Sequence, residues 1–380
     1  MILKSAEQLA YLMVPLSVAA LAYKVATAAF HVRYLTLPEQ QRDVAIGVAT
    51  IGLGVTVILM LGGGFSLFVI APHLGLVIVS SGLITYALGT YFMAVTALIS
   101  EEEAEAYGAG RLLFGVLNIA STFVSLVFIR DYYGLVLATA VTNFVTALWM
   151  AQRTSLGIRG LFGGFWRRGL STDGARYAWQ SRSVVSSTLV SDLGVQIQGL
   201  LTPLMGPHKE IWAIVVRISG GFGSLGQQII APNLELKTAS AVRKGNSSEA
   251  VKWARLAQFG GFGFAAATVV VQTIVLLILY SESVSVNSPE VWLCALYSLG
   301  LLSSALTMKT PYILGNDREM FYWSIVRLVL TAPLITLHDT TLLGAMAVVQ
   351  LVVSILLAII TLCPAGRRTP PKGAMFQDVN

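Results

Sequence analysis

Four ionisable side chains lie inside long apolar runs of this chain: Lys24, Asp192, Arg217 and Arg327. A charge so placed in hydrocarbon carries a penalty of about 2.5–3.5 kcal/mol on insertion scales, so it needs a partner, a water-filled space or a ligand. Arg217 sits about eight residues into the run 209–235, roughly 12 Å from its outer end at 1.5 Å per residue. Its planar fork of donors suits a phosphate or another anionic group. Two roles are open: a place on the wall of a central cavity, where it binds an anion, or an ion pair with Asp192 on the preceding run. Arg327, about eight residues from the cytoplasmic end of its run, is likewise open to a cavity-lining or a structural role. Lys24 lies only about six residues from the inner end of its own, where a lysine stem also reaches the interface. The candidate anion-binding set is therefore Arg217, Arg327 and Lys24. Asp192, the only acidic residue deep in a run, suits an ion pair or a proton- or sodium-coupling site.

Catalytic constellations are absent from the sequence. No carboxylate pair falls within a run, and there is no nucleophile elbow, Walker A pattern or His/Cys cluster. The four histidines (31, 73, 208 and 338) lack metal-ligand spacing, so neither a metal nor a cofactor is expected. Cys294 and Cys363 are placed near opposite membrane faces and cannot reach each other for a disulfide. Glu101-Glu102-Glu103-Ala104-Glu105 is expected to be a solvated helix end. Sparse buried charge in a polytopic chain points to transport rather than to an enzyme.

The elements that must position these groups follow from composition. Of 380 residues, 55% are hydrophobic and 12% charged, about half the charged share of soluble domains. About 11 apolar segments are long enough to span a bilayer: 9–30, 43–70, 74–99, 110–129, 133–152, 184–205, 209–235, 252–280, 290–313, 319–337 and 341–363. Continuous runs of this length are helices, since barrel strands alternate over about ten residues. The expected fold is an all-α polytopic membrane protein in two lobes. Residues 9–30 read as a retained span, because Glu7 and Lys24 interrupt a signal-peptide pattern.

Charge orients the spans. Nineteen of the 25 Lys and Arg residues fall in every second gap, three (Lys4, Arg130 and Lys209) in the others, and three within the runs. The rich set faces the cytoplasm, which puts the C-terminus inside and, with an odd number of spans, the N-terminus outside. The net charge of +6 is confined to short loops, so membrane lipids rather than nucleic acid are the expected partners. The longest gap, 153–183, divides an N-terminal lobe (1–152) from a C-terminal lobe (184–363), followed by a cytoplasmic tail (364–380). Within that gap, Leu161-Phe162-Gly163-Gly164-Phe165-Trp166-Arg167-Arg168 fits an interfacial segment or a solvated linker. Helix hairpins at 110–152 and 319–363 share one orientation and a Gly-led second helix (Gly134, Gly344), which suggests a parallel repeat. Two Gly-rich stretches, 219–226 and 259–264, suit either close helix packing or rocking helices.

The block Ile211-Trp212-Ala213-Ile214-Val215-Val216-Arg217-Ile218, continuing to Pro232-Asn233-Leu234-Glu235, resembles the eighth helix of Wzx-type bacterial polysaccharide flippases of the multidrug/oligosaccharidyl-lipid/polysaccharide (MOP) exporter superfamily. The loop Arg243-Lys244-Gly245-Asn246-Ser247-Ser248-Glu249-Ala250 is similar to that family's x-x-G-[ND]-x-x-x-A pattern. The Gly134-Leu135-Val136-Leu137-Ala138 turn, with its counterpart at Gly344, is similar to its repeated turns. The resemblance covers most of the chain diffusely; its specific part is 211–250. It implies a MATE-like parallel repeat and transport of an oligosaccharide on a polyprenyl (pyro)phosphate across the bacterial cytoplasmic membrane by alternating access. Polysaccharide polymerase or glycosyltransferases are the implied partners. Of the three cations, only Arg217 matches a family motif position. The first span and basic loop resemble the family's second helix and the loop after it, so the first helix is expected to be lacking. A drug/cation antiporter of the same superfamily and a non-transporting subunit of a polysaccharide assembly complex are the alternatives.

Overall fold

The computed structural model describes residues 2–362 except 35, 36, 38, 102, 130, 281–284 and 315. Cys363, the tail 364–380 and the expected outward-facing Arg130 thus lie outside the described residues. Every described regular element is helical, as expected for a backbone that must satisfy its own hydrogen bonds in lipid. Each of the eleven segments expected from sequence coincides with a helix or a pair of helical pieces. Among the described residues, six helices are long and apolar enough to cross a membrane.

The chain folds as two compact units, Met1–Pro203 and Leu204–Asn380. The first contains α1 (Ile2–Ala26), α2 (Phe30–Arg33), α3 (Glu39–Ile70), α4 (Pro72–Ser100), α5 (Ala104–Val124), α6 (Tyr132–Ala151), the short α7 (Gly157–Leu161) and α8 (Trp166–Gly169), and α9 (Thr172–Leu200). The second contains α10 (Lys209–Leu225), α11 (Ala231–Arg243), α12 (Ser247–Leu279), α13 (Pro289–Ser303), α14 (Thr310–Ile313), α15 (Asp317–Thr331) and α16 (Asp339–Leu362). The break after Pro203 differs from the division at 153–183 expected from the basic gap. Helix α9 packs on α1 and α3, with Gly199 tight against Ser17, so its small residues bind it to the first unit.

In the first unit α4 is the central helix, flanked by α1, α3 and α6. Its buried positions are mostly small: Ser80, Ser81, Gly82, Thr85, Gly89, Thr90, Ala94 and Ala97. Small side chains let backbones approach where lipid supplies no hydrophobic drive between helices. In the second unit α13 plays the same part, flanked by α10, α12 and α16. The neighbour pairs correspond in order: α3 with α4 and α12 with α13, α4 with α6 and α13 with α16, α5 with α6 and α15 with α16. The internal repeat suggested by the two hairpins is thus matched by corresponding helix contacts within each unit.

The long run 209–235 is interrupted. A π-helical turn, Gly226–Ile230, joins α10 to α11 immediately before Pro232, which has no N–H to donate to the preceding turn. The gap 153–183 is not a free linker. Arg168 forms an ion pair with Asp43 on α3, and Glu101 accepts hydrogen bonds from Ser155 N at 3.0 and 3.1 Å. The first carboxylate of the acidic run therefore ties the end of α4 to the loop after α6 rather than only facing solvent.

Candidate functional site

The four ionisable groups separate into three environments. Lys24 of α1 and Asp192 of α9 pair with each other within the first unit. The depths estimated from sequence agree with this: both residues lie roughly 10 Å above the inner end. The pair is half-buried, with side-chain exposures of 17% and 19%, and the ammonium lies 5.8 Å from the Tyr23 ring centroid. Tyr23, itself buried, stacks on Phe92 at 4.9 Å. Asp192 is thus engaged by Lys24, not by Arg217, and Lys24 turns inward instead of extending to the interface. Asp192→Ala is expected to lower unfolding stability by about 1–3 kcal/mol, between the values for exposed and fully buried pairs. The double substitution Lys24→Met/Asp192→Leu should recover most of that loss in a thermal-melt assay, because no unpaired charge remains.

Arg327 of α15 is enclosed, at 2% exposure. Its guanidinium lies over the Trp323 ring at 5.3 Å and donates a long hydrogen bond (3.5 Å) to Gln350 Oε1 on α16. Trp323 is fixed in turn by Nε1 donating to Val353 O at 2.8 Å. The geometry makes Arg327 an interior charge between α15 and α16. Arg327→Met keeps most of the volume and should fold with little change in melting temperature. Arg327→Ala opens a void and is expected to cost about 2 kcal/mol or more by the same measurement.

Arg217 of α10 differs from both. Among the described residues, no hydrogen bond or ion pair engages it. One side of α10 is packed: Trp212, Val215 and Ser219 are fully buried, and Trp212 lies against Tyr297 at 4.5 Å. Arg217 is half-buried beside that face. One turn on, at helical spacings of three and four, come Gly220 and Gly221, both exposed. A Cβ built at either meets nothing within 4 Å. An arginine without a partner among the described residues therefore lies next to a stretch of helix surface without side chains. Such a face can accept an anionic group, with donors in the plane of the fork and no bulk beside it.

Behind this face lies a polar network that the sequence analysis did not single out. Ser219 Oγ and Ser298 Oγ are 2.8 Å apart, and both donate to Gln272 Oε1, at 3.3 and 2.5 Å. A second set joins Gln258 to Ser303 O (3.2 Å) and Thr307 (3.2 Å), with Ser303 2.5 Å from Ser354. These bonds link α10, α12, α13 and α16 and hold the packed side of α10 in place. The signal was present in α12, where Ala250, Ala254, Ala257, Gly261, Ala265, Thr268 and Gln272 recur at three- and four-residue steps and form the buried face.

No family model and no curated protein matches the chain. Solved structures do. A multidrug resistance MATE family transporter of the MOP superfamily in an inward-facing conformation superposes with a TM-score of 0.60 at 17% identity, covering 94% of this chain and 88% of that one. A MATE family transporter in an outward-facing conformation gives 0.50 at 16%, over 94% and 84%. With its apolar spans and its repeated helix contacts, the chain is a multi-pass membrane protein with the fold of the MATE transporters of the MOP superfamily.

Proposed function

We propose that this protein is a transporter that moves an oligosaccharide on a polyprenyl (pyro)phosphate carrier from the cytoplasmic to the outer leaflet of a bacterial cytoplasmic membrane. Its C-terminus would lie in the cytoplasm. The observation that carries this is Arg217, without a partner among the described residues, beside its bare glycine face. A pyrophosphate crossing about 30 Å of hydrocarbon needs a cation that is not already neutralised. Lys24 and Arg327 are additional binding groups in this proposal: Lys24 acts once Asp192 releases it, and Arg327 contributes positive potential from the interior of its unit. Asp192, freed in the same step, becomes available to a coupling proton or sodium ion. The fold is known in inward- and outward-facing conformations of its structural neighbours, which supports alternating access as the mechanism. A polymerase or glycosyltransferase acting on the same carrier is the expected partner.

The second reading, a drug/cation antiporter, is favoured by the description of those neighbours as multidrug resistance transporters. Against it, Asp192, the one acidic residue deep in an apolar run, is paired with Lys24 in this structure and is open to a cation only after the lysine leaves. Proteoliposomes separate the two. Transbilayer movement of a polyprenyl-pyrophosphate oligosaccharide, with no uptake of a lipophilic organic cation, is the expected result. Uptake of the cation without movement of the lipid would overturn the flippase proposal, and failure of both would leave the non-transporting subunit.

A further inference from the structure

Two adjoining open grooves lie in the first unit. The larger one, about 400 Å³, lies open between α3, α4 and α6 and is lined by Val57, Leu83, Ala140 and Phe144. The other, about 270 Å³, lies nearer the cytoplasm between α3 and the segment after α7, bounded by Thr50, Gly54, Phe162 and Trp166. Tyr86 lines both. The rings Tyr86, Phe144 and Phe162 form a continuous wall, with centroids 6.0 and 5.9 Å apart. From Thr50 to Val57 the groove follows α3 for roughly 10 Å into the membrane. Along it Leu83, Val141, Phe162 and Trp166 are each about half exposed, so it is open from the side.

The mouth of this groove carries charge. Arg167 lies 5.8 Å from the Trp166 ring, and Arg159 is tied to the loop through Gly164 N donating to its carbonyl at 2.6 Å. Both side chains are exposed and, unlike Arg168 with Asp43, neither has a carboxylate partner among the described residues. A tryptophan with flanking arginines above an apolar slot has the chemistry of a headgroup level over a chain level.

We propose that this groove is a binding site for an anionic phospholipid, with one acyl chain along α3 between Leu83 and Val57 and the phosphate at Arg159 and Arg167. The charge at the mouth selects this occupant. Lipid tails are as apolar as the groove, so burying a chain there gives little preference by itself. Each arginine near an anionic headgroup is worth roughly fivefold in affinity. The bound lipid would hold α7 and α8 against α3, fixing the segment that leads into α9.

Native mass spectrometry of the full chain, released from nanodiscs of equal phosphatidylglycerol and phosphatidylcholine, tests this. The expected result is preferential retention of phosphatidylglycerol, reduced roughly tenfold or more in Arg159→Gln/Arg167→Gln. Ala140→Trp, which fills the larger groove, should also reduce it, whereas Arg255→Gln on α12 should not. Equal retention of the two lipids, or a preference unchanged in the double variant, would overturn the proposal. So would displacement of phosphatidylglycerol by an equimolar polyprenyl phosphate, which would assign the groove to a carrier lipid instead. Circular dichroism melts of each variant separate loss of the site from loss of the fold.

Discussion

Arg217→Ala is expected to slow transbilayer movement of a polyprenyl-pyrophosphate oligosaccharide by about 10- to 100-fold without lowering thermal stability. The size follows from removing a charge-assisted hydrogen bond of about 1.5–3 kcal/mol. The unchanged stability follows from the absence of any partner for Arg217 among the described residues: nothing is left unsatisfied when it goes. Arg217→Lys keeps the charge but loses the two-pronged geometry and should fall between the two. Gly221→Leu provides a separate test of the same face. A Cβ there meets nothing within 4 Å, so the variant should fold normally while its side chain obstructs the approach to Arg217. Unimpaired movement in both Arg217→Ala and Gly221→Leu would remove this face from the transport path.

The second large effect is on folding. Gly261 of α12 faces the Ser303 carbonyl of α13 so closely that a Cβ would overlap it, and a Cβ at Gly300 of α13 would lie 2.8 Å from Leu351 N on α16. In both cases the obstructing atom is backbone, which cannot rotate away as a side chain can. Gly261→Leu and Gly300→Leu are each expected to destabilise the second unit by about 3 kcal/mol or more, since separating α13 from a neighbour also breaks the Gln258 and Ser303 hydrogen bonds. Size-exclusion profiles and melting curves in detergent should show loss of the folded, monodisperse protein. Gly263→Ala, two residues along the same helix, meets open space and should be silent. The contrast separates the two roles offered for the Gly-rich stretches. Gly261 serves close packing, whereas Gly220, Gly221 and Gly263 leave surfaces open.

Much of this architecture was legible in one dimension because hydrocarbon imposes simple rules. A span must be long and apolar, its backbone must be helical, and its flanking cations must sit mainly on one side. Those constraints act on composition and length, so all eleven segments and the all-α class follow without a structure. The four ionisable residues stood out for the same reason, as exceptions to the composition around them. The family motif added Arg217 by a second route.

Partnership was not legible in that way. Lys24 and Asp192 are 168 residues apart, and no local spacing links them. Proximity in sequence favoured Asp192 with Arg217, on adjacent runs. Only the packing of α9 on α1 brings the carboxylate to the lysine, and the same packing moves the unit boundary from the basic gap to Pro203. Depth along a helix likewise gave Arg217 and Arg327 equal standing, because rise per residue fixes height but not which neighbours surround the helix at that height. The tertiary structure enclosed Arg327 between Trp323 and Gln350 and left Arg217 beside two exposed glycines. The sequence by itself determined which groups are charged and how deep each lies; helix packing alone decided which of those charges remains free to bind, since that depends on side chains brought together from distant parts of the chain.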